Sequence, residues 1–213
     1  MRRTFTLLIV GLLAVTSLTT KAQEWSTGVD LYSSYVWRGT KFGSGPALQP
    51  SVKFSAGGFA IGAWGSYCFS ENEAMEADLY ASYGFNLGEN SSLTFTVTDY
   101  YFPGAGSEWL DGDFHFFEPA VSLGLGKFSL LGAYMTNAED IYFEAGLKLN
   151  SVKLFAGAGD GAYTSDGDFS VCNLGIGTSK EIKITDSFSL PVSGSVILNP
   201  STEQFHIVVG ISL

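Results

Sequence analysis

Apolar and polar residues alternate along the segment from Leu48 to Tyr67. Its first half, LQPSVKFSA, has an apolar residue at every second position, and its second half, FAIGAWGSY, follows the same rule. Alternation of this kind places successive side chains on opposite faces of a β-strand. The pair Gly57-Gly58 between the two halves is typical of a two-residue hairpin turn. The segment therefore predicts two antiparallel strands.

The same alternation recurs to the end of the chain and defines the predicted fold class. With a first strand from Trp25 to Arg38, we count twelve segments of about 9–13 residues, close to the roughly 9–11 that a tilted strand needs to cross a bilayer. Short connections lie at 57–58, 88–90, 125–127 and 150–151, with a somewhat longer one near 180–187; the longer connections lie at 39–46, 70–74, 103–113, 136–140, 160–168 and 199–203. This asymmetry predicts an all-β protein, a single antiparallel transmembrane β-barrel with short periplasmic turns and longer extracellular loops.

The composition of the two faces indicates which one contacts lipid. One face is rich in Phe, Tyr and Leu, whereas the other carries Ser, Thr, Gly, Asn, Lys and Glu. A closed barrel of twelve strands is too wide for an apolar interior to fill well, and unpaired burial of the carboxylates would be very costly. Aromatic residues on the apolar face mark two predicted girdles, which comprise Tyr35, Trp37, Tyr67, Phe69, Tyr101 and Phe117 at the long-loop end and Phe59, Phe85, Phe95, Phe128 and Phe188 near the turns.

The first 22 residues have the features of a secretory signal peptide. Arg2 and Arg3 precede an apolar run, and small and polar residues end at Ala22. A membrane anchor would need about 20 apolar residues. We therefore expect residues 1–22 to be cleaved and residues 23–213 to form the outer-membrane barrel domain.

Net charge narrows the range of partners. Removing the signal peptide leaves 8 Lys and Arg against 21 Asp and Glu, a formal charge of about −13. An acidic exported chain is a poor candidate for binding nucleic acid through a basic patch. The expected partners are outer-membrane lipid and lipopolysaccharide, the barrel-assembly machinery and small hydrophilic solutes.

Three short motifs lie between Gly28 and Tyr67: YVWRG at 35–39, PALQPSV at 46–52 and GAWGS at 62–66. In these motifs the chain resembles a TorF-like family of uncharacterised exported bacterial proteins that are described as outer-membrane porins. The resemblance covers about 40 residues and implies an outer-membrane barrel, with little chemistry attached. One departure from barrels in general is the last residue, Leu213, where assembly signals usually end in Phe or Trp.

The polar face supplies the candidate functional residues. Charged side chains predicted to line the lumen are Arg38, Lys53, Glu76, Asp78, Glu118, Glu144, Lys148 and Lys153. Two interpretations stay open. The carboxylates can form a constriction that favours cations, or Arg and Lys can pair with them in a network that closes and stiffens the barrel. A guanidinium such as that of Arg38 can bridge two carboxylates.

Other chemistries have weaker support in the sequence. Glu76 and Glu118 could form a glycosidase pair only at a suitable separation, and His115 or His206 could serve an outer-membrane lipase. No Gly-x-Ser-x-Gly motif is present. The acidic loop 159–168 lacks the ligand spacing of a calcium loop, and Cys68 and Cys172 are expected to be free thiols on opposite faces. We predict no catalytic residue, cofactor or metal.

These observations favour a porin-like channel for passive passage of small hydrophilic solutes. The first alternative is a non-conducting structural or adhesion barrel that acts through its acidic loops. The second, from another class, is an outer-membrane hydrolase.

Overall fold

Twelve antiparallel strands close into a single barrel in the computed structural model, which describes residues 23–70, 73–103, 108–109 and 112–213. The barrel strands are β1 (Gln23–Tyr32), β4 (Ala47–Ala56), β5 (Phe59–Cys68), β6 (Glu73–Gly88), β7 (Ser91–Tyr101), β8 (His115–Leu125), β9 (Phe128–Met135), β10 (Asp140–Leu149), β11 (Val152–Gly159), β12 (Ser170–Lys183), β13 (Ser189–Asn199) and β14 (Gln204–Ser212). Each strand pairs with its neighbour, and β14 pairs with β1 to close the ring. The predicted fold class and strand count are confirmed. The predicted signal peptide, residues 1–22, lies outside the described residues.

Among the described residues, no helix has the length and apolarity needed to cross a membrane.

The outward face of the barrel is a broad apolar surface. The largest exposures belong to outward side chains such as Phe128, Phe205 and Ile207, each exposed by at least 60%. The predicted aromatic residues near the turns are all exposed, as are Phe69 and Phe117 at the long-loop end. A soluble monomer rarely exposes an apolar surface that continues around the whole molecule. The sequence pattern therefore assigned the apolar set to the outside correctly.

The first predicted strand, Trp25 to Arg38, is wrong in its second half. Strand β1 ends at Tyr32, and the chain then forms a separate hairpin of β2 (Tyr35–Trp37) and β3 (Thr40–Phe42). Because Tyr32 pairs directly with Ala47 at the start of β4, the whole hairpin is an insertion at the long-loop end. In the described part of the chain, β2 and β3 pair only with each other.

The hairpin folds into the lumen, which corrects the predicted outer girdle. Tyr35 is buried against Trp64 of β5, and Trp37 packs against Tyr100 of β7. Neither Tyr35 nor Trp37 lies on the outward face. The alternation predicted these two residues to face lipid because it treated the hairpin as a continuation of β1. Tyr101 of β7 is also buried, because Trp109 covers it from the outside.

The lumen has a sealed half and an open half. Inward side chains near the long-loop end are buried, namely Ala47, Gln49, Ser66, Cys68, Glu76, Asp78, Tyr100, Glu118, Ala133, Met135 and Tyr142, and the buried Asn173 lies at the boundary with the open half. Inward side chains toward the short turns are exposed, namely Lys53, Ser92, Ser122, Ser129, Lys148 and Lys153. The barrel is therefore a cup that is closed at the long-loop end by the hairpin.

Cys68 and Cys172 form no disulfide with each other, as expected, but they do not lie on opposite faces. Cys68 and Cys172 are each buried to within 1% of full burial. Cys172 departs from the predicted apolar side because the register of β11 and β12 shifts between Gly157 and Ala158. The bulge makes Cys172 an extra residue in β12 and turns its side chain inward.

We expect cysteine thiols in the sealed half of the lumen to be unreactive and those in the open half to be reactive. In a Lys153→Cys variant, we expect a small maleimide to label residue 153 in the folded barrel and to leave Cys68 and Cys172 unmodified. Heat-unfolded protein should be labelled at all three positions. Mass spectrometry of peptides measures this, and labelling of Cys172 in the folded protein would contradict a sealed long-loop half.

Candidate functional site: a hairpin locked in the lumen

The tip of the hairpin is a two-residue turn at Arg38 and Gly39. Both residues have positive φ, 50° at Arg38 and 84° at Gly39. Two successive residues with positive φ make the type I′ turn, which matches the twist of the flanking strands. Glycine adopts this conformation readily, whereas for arginine it is uncommon. Contacts of the Arg38 side chain must therefore offset a local conformational cost.

Arg38 forms a two-pronged ion pair with Glu118 of β8. Its Nη1 lies 2.6 Å from Oε2 and its Nη2 lies 2.8 Å from Oε1. The Arg38 side chain is 8% exposed and the Glu118 side chain 3%. A planar guanidinium matches a carboxylate in this geometry better than a lysine could. The pair links the tip of the hairpin to the barrel wall.

Aromatic rings surround the guanidinium. Its central carbon lies 4.4 Å from the ring centre of Trp37 and 4.3 Å from that of Tyr142. Arg38 Nη1 also donates to the hydroxyl oxygen of Tyr163, at 2.7 Å. Burial raises the pKa of Tyr163 to about 12, although the charge of Arg38 acts in the opposite direction. The phenol therefore stays neutral at neutral pH, and the cation is held by one carboxylate and several π faces.

A second set of contacts holds the start of the hairpin. The Tyr35 hydroxyl donates to Oε2 of Glu76 at 2.7 Å, and Asp78 follows Glu76 on the inward face of β6, where both side chains are buried. Oδ1 of Asp78 is buried without a partner among the described residues. These carboxyls lie behind the hairpin, inside the sealed half.

Gly39 packs directly against the barrel wall. A Cβ atom at this position would collide with the carbonyl oxygen of Cys172 in β12. On another side, the ring of His206 in β14 lies beside the Gly39 backbone. Together with Glu118 and Glu76, these contacts bring the hairpin against β6, β8, β12 and β14. It fills the cross-section of the barrel rather than lying along one wall.

The open half of the lumen holds a second polar cluster. Glu144 of β10 accepts hydrogen bonds from the Tyr142 hydroxyl at 2.9 Å, from Asn173 at 3.2 Å and from Lys153 at 3.4 Å. Glu144 lines two cavities of about 330 and 180 Å³, and the smaller one reaches the hairpin at Arg38. Water can therefore approach the hairpin from the short-turn end.

The predicted lumen residues thus separate into three groups. Arg38, Glu76, Asp78 and Glu118 meet in the sealed half, and Glu144 and Lys153 pair in the open half. Lys53 and Lys148 are inward and exposed. The sealed half fits the interpretation in which paired charges close the barrel. There the hairpin binds charged and polar side chains of the wall. Glu118 pairs with Arg38 and Glu76 accepts from Tyr35, so each of these carboxyl groups holds a different residue of the hairpin.

The two histidines have different surroundings. His115 lies on the outward side of the rim, with Nδ1 2.8 Å from Asp99 Oδ1 and Nε2 2.7 Å from the carbonyl oxygen of Trp109. A carbonyl oxygen only accepts, so Nε2 carries a proton and has no lone pair to offer as a base. His206 faces the hairpin from inside the barrel, as the alternation predicted. Within the described ranges, no group of three His, Cys, Asp or Glu side chains could hold a metal ion.

The loop from Gly159 to Asp168 contributes structure to the site. Asp160 accepts from the Ile141 backbone N–H, and Asp140 accepts from that of Ala162. These bonds position Tyr163 over Arg38. The acidic residues of this loop are evident in the sequence, but Tyr163 was not predicted to contribute to the site, nor were Tyr100, Tyr142 and Asn173. For Tyr163, the sequence signal was an aromatic residue inside an otherwise polar loop.

A family model matches residues 18–161, about two thirds of the chain. It describes bacterial proteins of unknown function and is designated Gcw_chp. The matched range includes the hairpin, Glu76, Glu118 and Glu144. No curated protein matches the chain.

The Arg38–Glu118 pair predicts a large loss of stability when one partner is removed. Arg38→Met leaves a buried carboxylate without its counter-ion, so we expect the free energy of unfolding to fall by about 3–5 kcal/mol. The double variant Arg38→Met/Glu118→Gln should recover most of that loss. Urea unfolding in detergent, followed by tryptophan fluorescence, measures both.

The matched control is Lys183→Met, which breaks an exposed ion pair with Asp186. We expect it to cost at most about 1 kcal/mol. Equal losses in Arg38→Met and Lys183→Met would contradict the role of the buried pair.

Proposed function

The chain belongs to the Gcw_chp family of bacterial proteins, and we propose that it is an outer-membrane barrel whose lumen passes small hydrophilic solutes when the hairpin moves out of the lumen. At rest the hairpin closes the long-loop end. The observation that carries this proposal is the way the hairpin is attached: within the described residues it is held by side chains and not by strand pairing with the wall. Such a plug can move without breaking the barrel.

The outward surface supports the membrane location. Its exposed apolar side chains form a continuous belt, and the inward face is polar, which is the arrangement of an outer-membrane barrel. The asymmetry of turns and loops orients the sealed end toward the cell exterior. The signal peptide proposed for residues 1–22 would direct export.

The polar groups behind the hairpin support a movable plug over a permanent core. Glu76, Asp78 and Glu118 are carboxyl groups in a place where apolar side chains would fill space at lower cost. Once the hairpin leaves and takes Arg38 with it, these three groups line a wet passage. We expect that passage to favour cations. We propose no enzymatic activity and assign no catalytic residue.

The sealed end also favours a second candidate, a barrel that never conducts and acts through its acidic loops. The two candidates differ in a single property, the conductance of a barrel that lacks the hairpin. A role like that of the TorF-like porins would fit the solute channel and would not fit the non-conducting barrel.

Conductance in planar bilayers is the test. Residues 34–45 are replaced by a Gly-Ser linker of about four residues, which suffices because Tyr32 and Ala47 are already paired. We expect rare openings in the wild type and steady, cation-preferring steps in the variant. Glu76→Gln/Glu118→Gln in the shortened barrel should weaken that preference.

The control barrel carries the same linker in place of the exposed turn 184–187, at the other end. It should behave as the wild type does. Heat-modified gel mobility establishes that each variant has folded. Silence from a folded barrel without its hairpin would overturn the channel proposal in favour of the non-conducting barrel, and steady conductance of the wild type would overturn the proposed closure.

A further inference from the structure

The smaller cavity of the open half contains a buried acceptor that no described residue satisfies. Asn173 lines this cavity and is 4% exposed. Its Oδ1 has no hydrogen-bond partner among the described residues. A buried amide oxygen without a partner destabilises the protein, because it has lost its hydrogen bonds to water. The unmet acceptor therefore marks a position where a donor from a ligand would be stabilised.

The orientation of this amide follows from its neighbours. Nδ2 of Asn173 lies 3.2 Å from Oε2 of Glu144 and 2.9 Å from the Tyr142 hydroxyl oxygen. A carboxylate can only accept, so the nitrogen must face Glu144. Oδ1 is consequently the atom left over, and it belongs to a residue that lines the cavity. A ligand has to bring an N–H or O–H group to it.

The charges around the cavity balance in pairs. Glu144 is matched by Lys153 at 3.4 Å, and Arg38 is matched by Glu118. A cationic ligand would meet Lys153 and Arg38 at the wall, and an anionic ligand would meet Glu144. Neither sign of charge gains a free counter-ion. The balance favours a neutral ligand.

The rest of the lining suits hydroxyl groups and a flat apolar face. The larger cavity, about 330 Å³, is lined by the hydroxyl side chains Ser92, Thr94, Ser122 and Ser129 on three neighbouring strands. Phe155 lines the smaller cavity and lies flat over Gly175, where any side chain would collide with its ring. A few convergent polar groups beside an aromatic surface are typical of small-molecule sites.

We infer that the open half of the lumen, around Asn173, Glu144 and Phe155, binds a neutral, hydroxyl-rich solute of the sugar class. The solute donates one hydroxyl to Asn173 Oδ1 and another to Glu144, accepts from Lys153, and places its C–H face on Phe155. The adjoining hydroxyl strip accommodates the remainder of the molecule. This inference rests on the proposed passage of solutes through the lumen. The site would be a binding site on that pathway, on the short-turn side of the hairpin.

Calorimetric titration of the purified full-length barrel in detergent tests the inference. The probes are maltose, putrescine and gluconate, which are neutral, cationic and anionic. We expect saturable binding of maltose and much weaker binding of the two charged probes. Asn173→Leu and Glu144→Gln should each raise the Kd for maltose roughly tenfold or more.

Ser195→Ala is the matched control, since Ser195 is an inward hydroxyl of β13 that lines neither cavity. It should leave the Kd unchanged. Glu144→Gln keeps the size of the side chain, so it remains informative if Asn173→Leu does not fold. Three results would overturn the inference: no saturable maltose binding by the folded wild type, tighter binding of putrescine or gluconate, or an unchanged Kd in both site variants.

The conductance experiment separates this inference from the proposed function. A hairpin-free barrel that conducts, combined with a wild type that binds no maltose, would remove the sugar site and keep the channel. Maltose binding in a barrel that stays silent without its hairpin would keep the site and remove the channel.

Discussion

The structure depends on one constraint, that a charge removed from water must meet an opposite charge. Arg38 and Glu118 are both buried, and each would be severely destabilising without the other. One belongs to an insertion and the other to the barrel wall, so the pair makes the two parts of the fold interdependent. The aromatic rings of Trp37 and Tyr142 add to the same cation. An unusual backbone conformation at Arg38 is held in place by these contacts.

This constraint divides the lumen into two chemically different halves. Above Arg38, the carboxyl groups of Glu76 and Glu118 are occupied by the hairpin, and little water has access. Below it, Glu144 and Lys153 lie in open space beside unoccupied hydroxyl groups. The hairpin is thus a boundary between a dry compartment and a wet one. A barrel with one closed end can hold a small molecule as well as pass it. Closure by the hairpin and binding of a solute below it are therefore linked.

The barrel could be predicted from the sequence because its strands obey a period of two, which arises when the two faces of a strand meet different surroundings. The hairpin could not, because YVW continues the alternation of β1 and an Arg-Gly turn is a weak signal beside Asn-Gly. Carboxylates such as Glu76 and Glu118 were predicted on the correct face, but their partners depend on which loop enters the barrel. Cys172 was misplaced by a single-residue bulge, which turns this one side chain inward, leaves Leu174 and Ile176 on the outward face as predicted, and leaves no mark in composition.

The order in which the chain is made gives the Arg-Gly turn one further consequence. The hairpin forms from adjacent residues, whereas the two hydrogen-bonding partners of Arg38 lie 80 and 125 residues further along. Long-range contacts of this kind form late, after the entropy of closing large loops has been overcome. Before β8 and the loop after β11 are in place, Arg38 is therefore an exposed cation without its hydrogen-bonding partners. Pairing of Arg38 waits for β8 and the loop after β11, so early assembly intermediates differ from the finished molecule in an exposed positive charge as well as in shape.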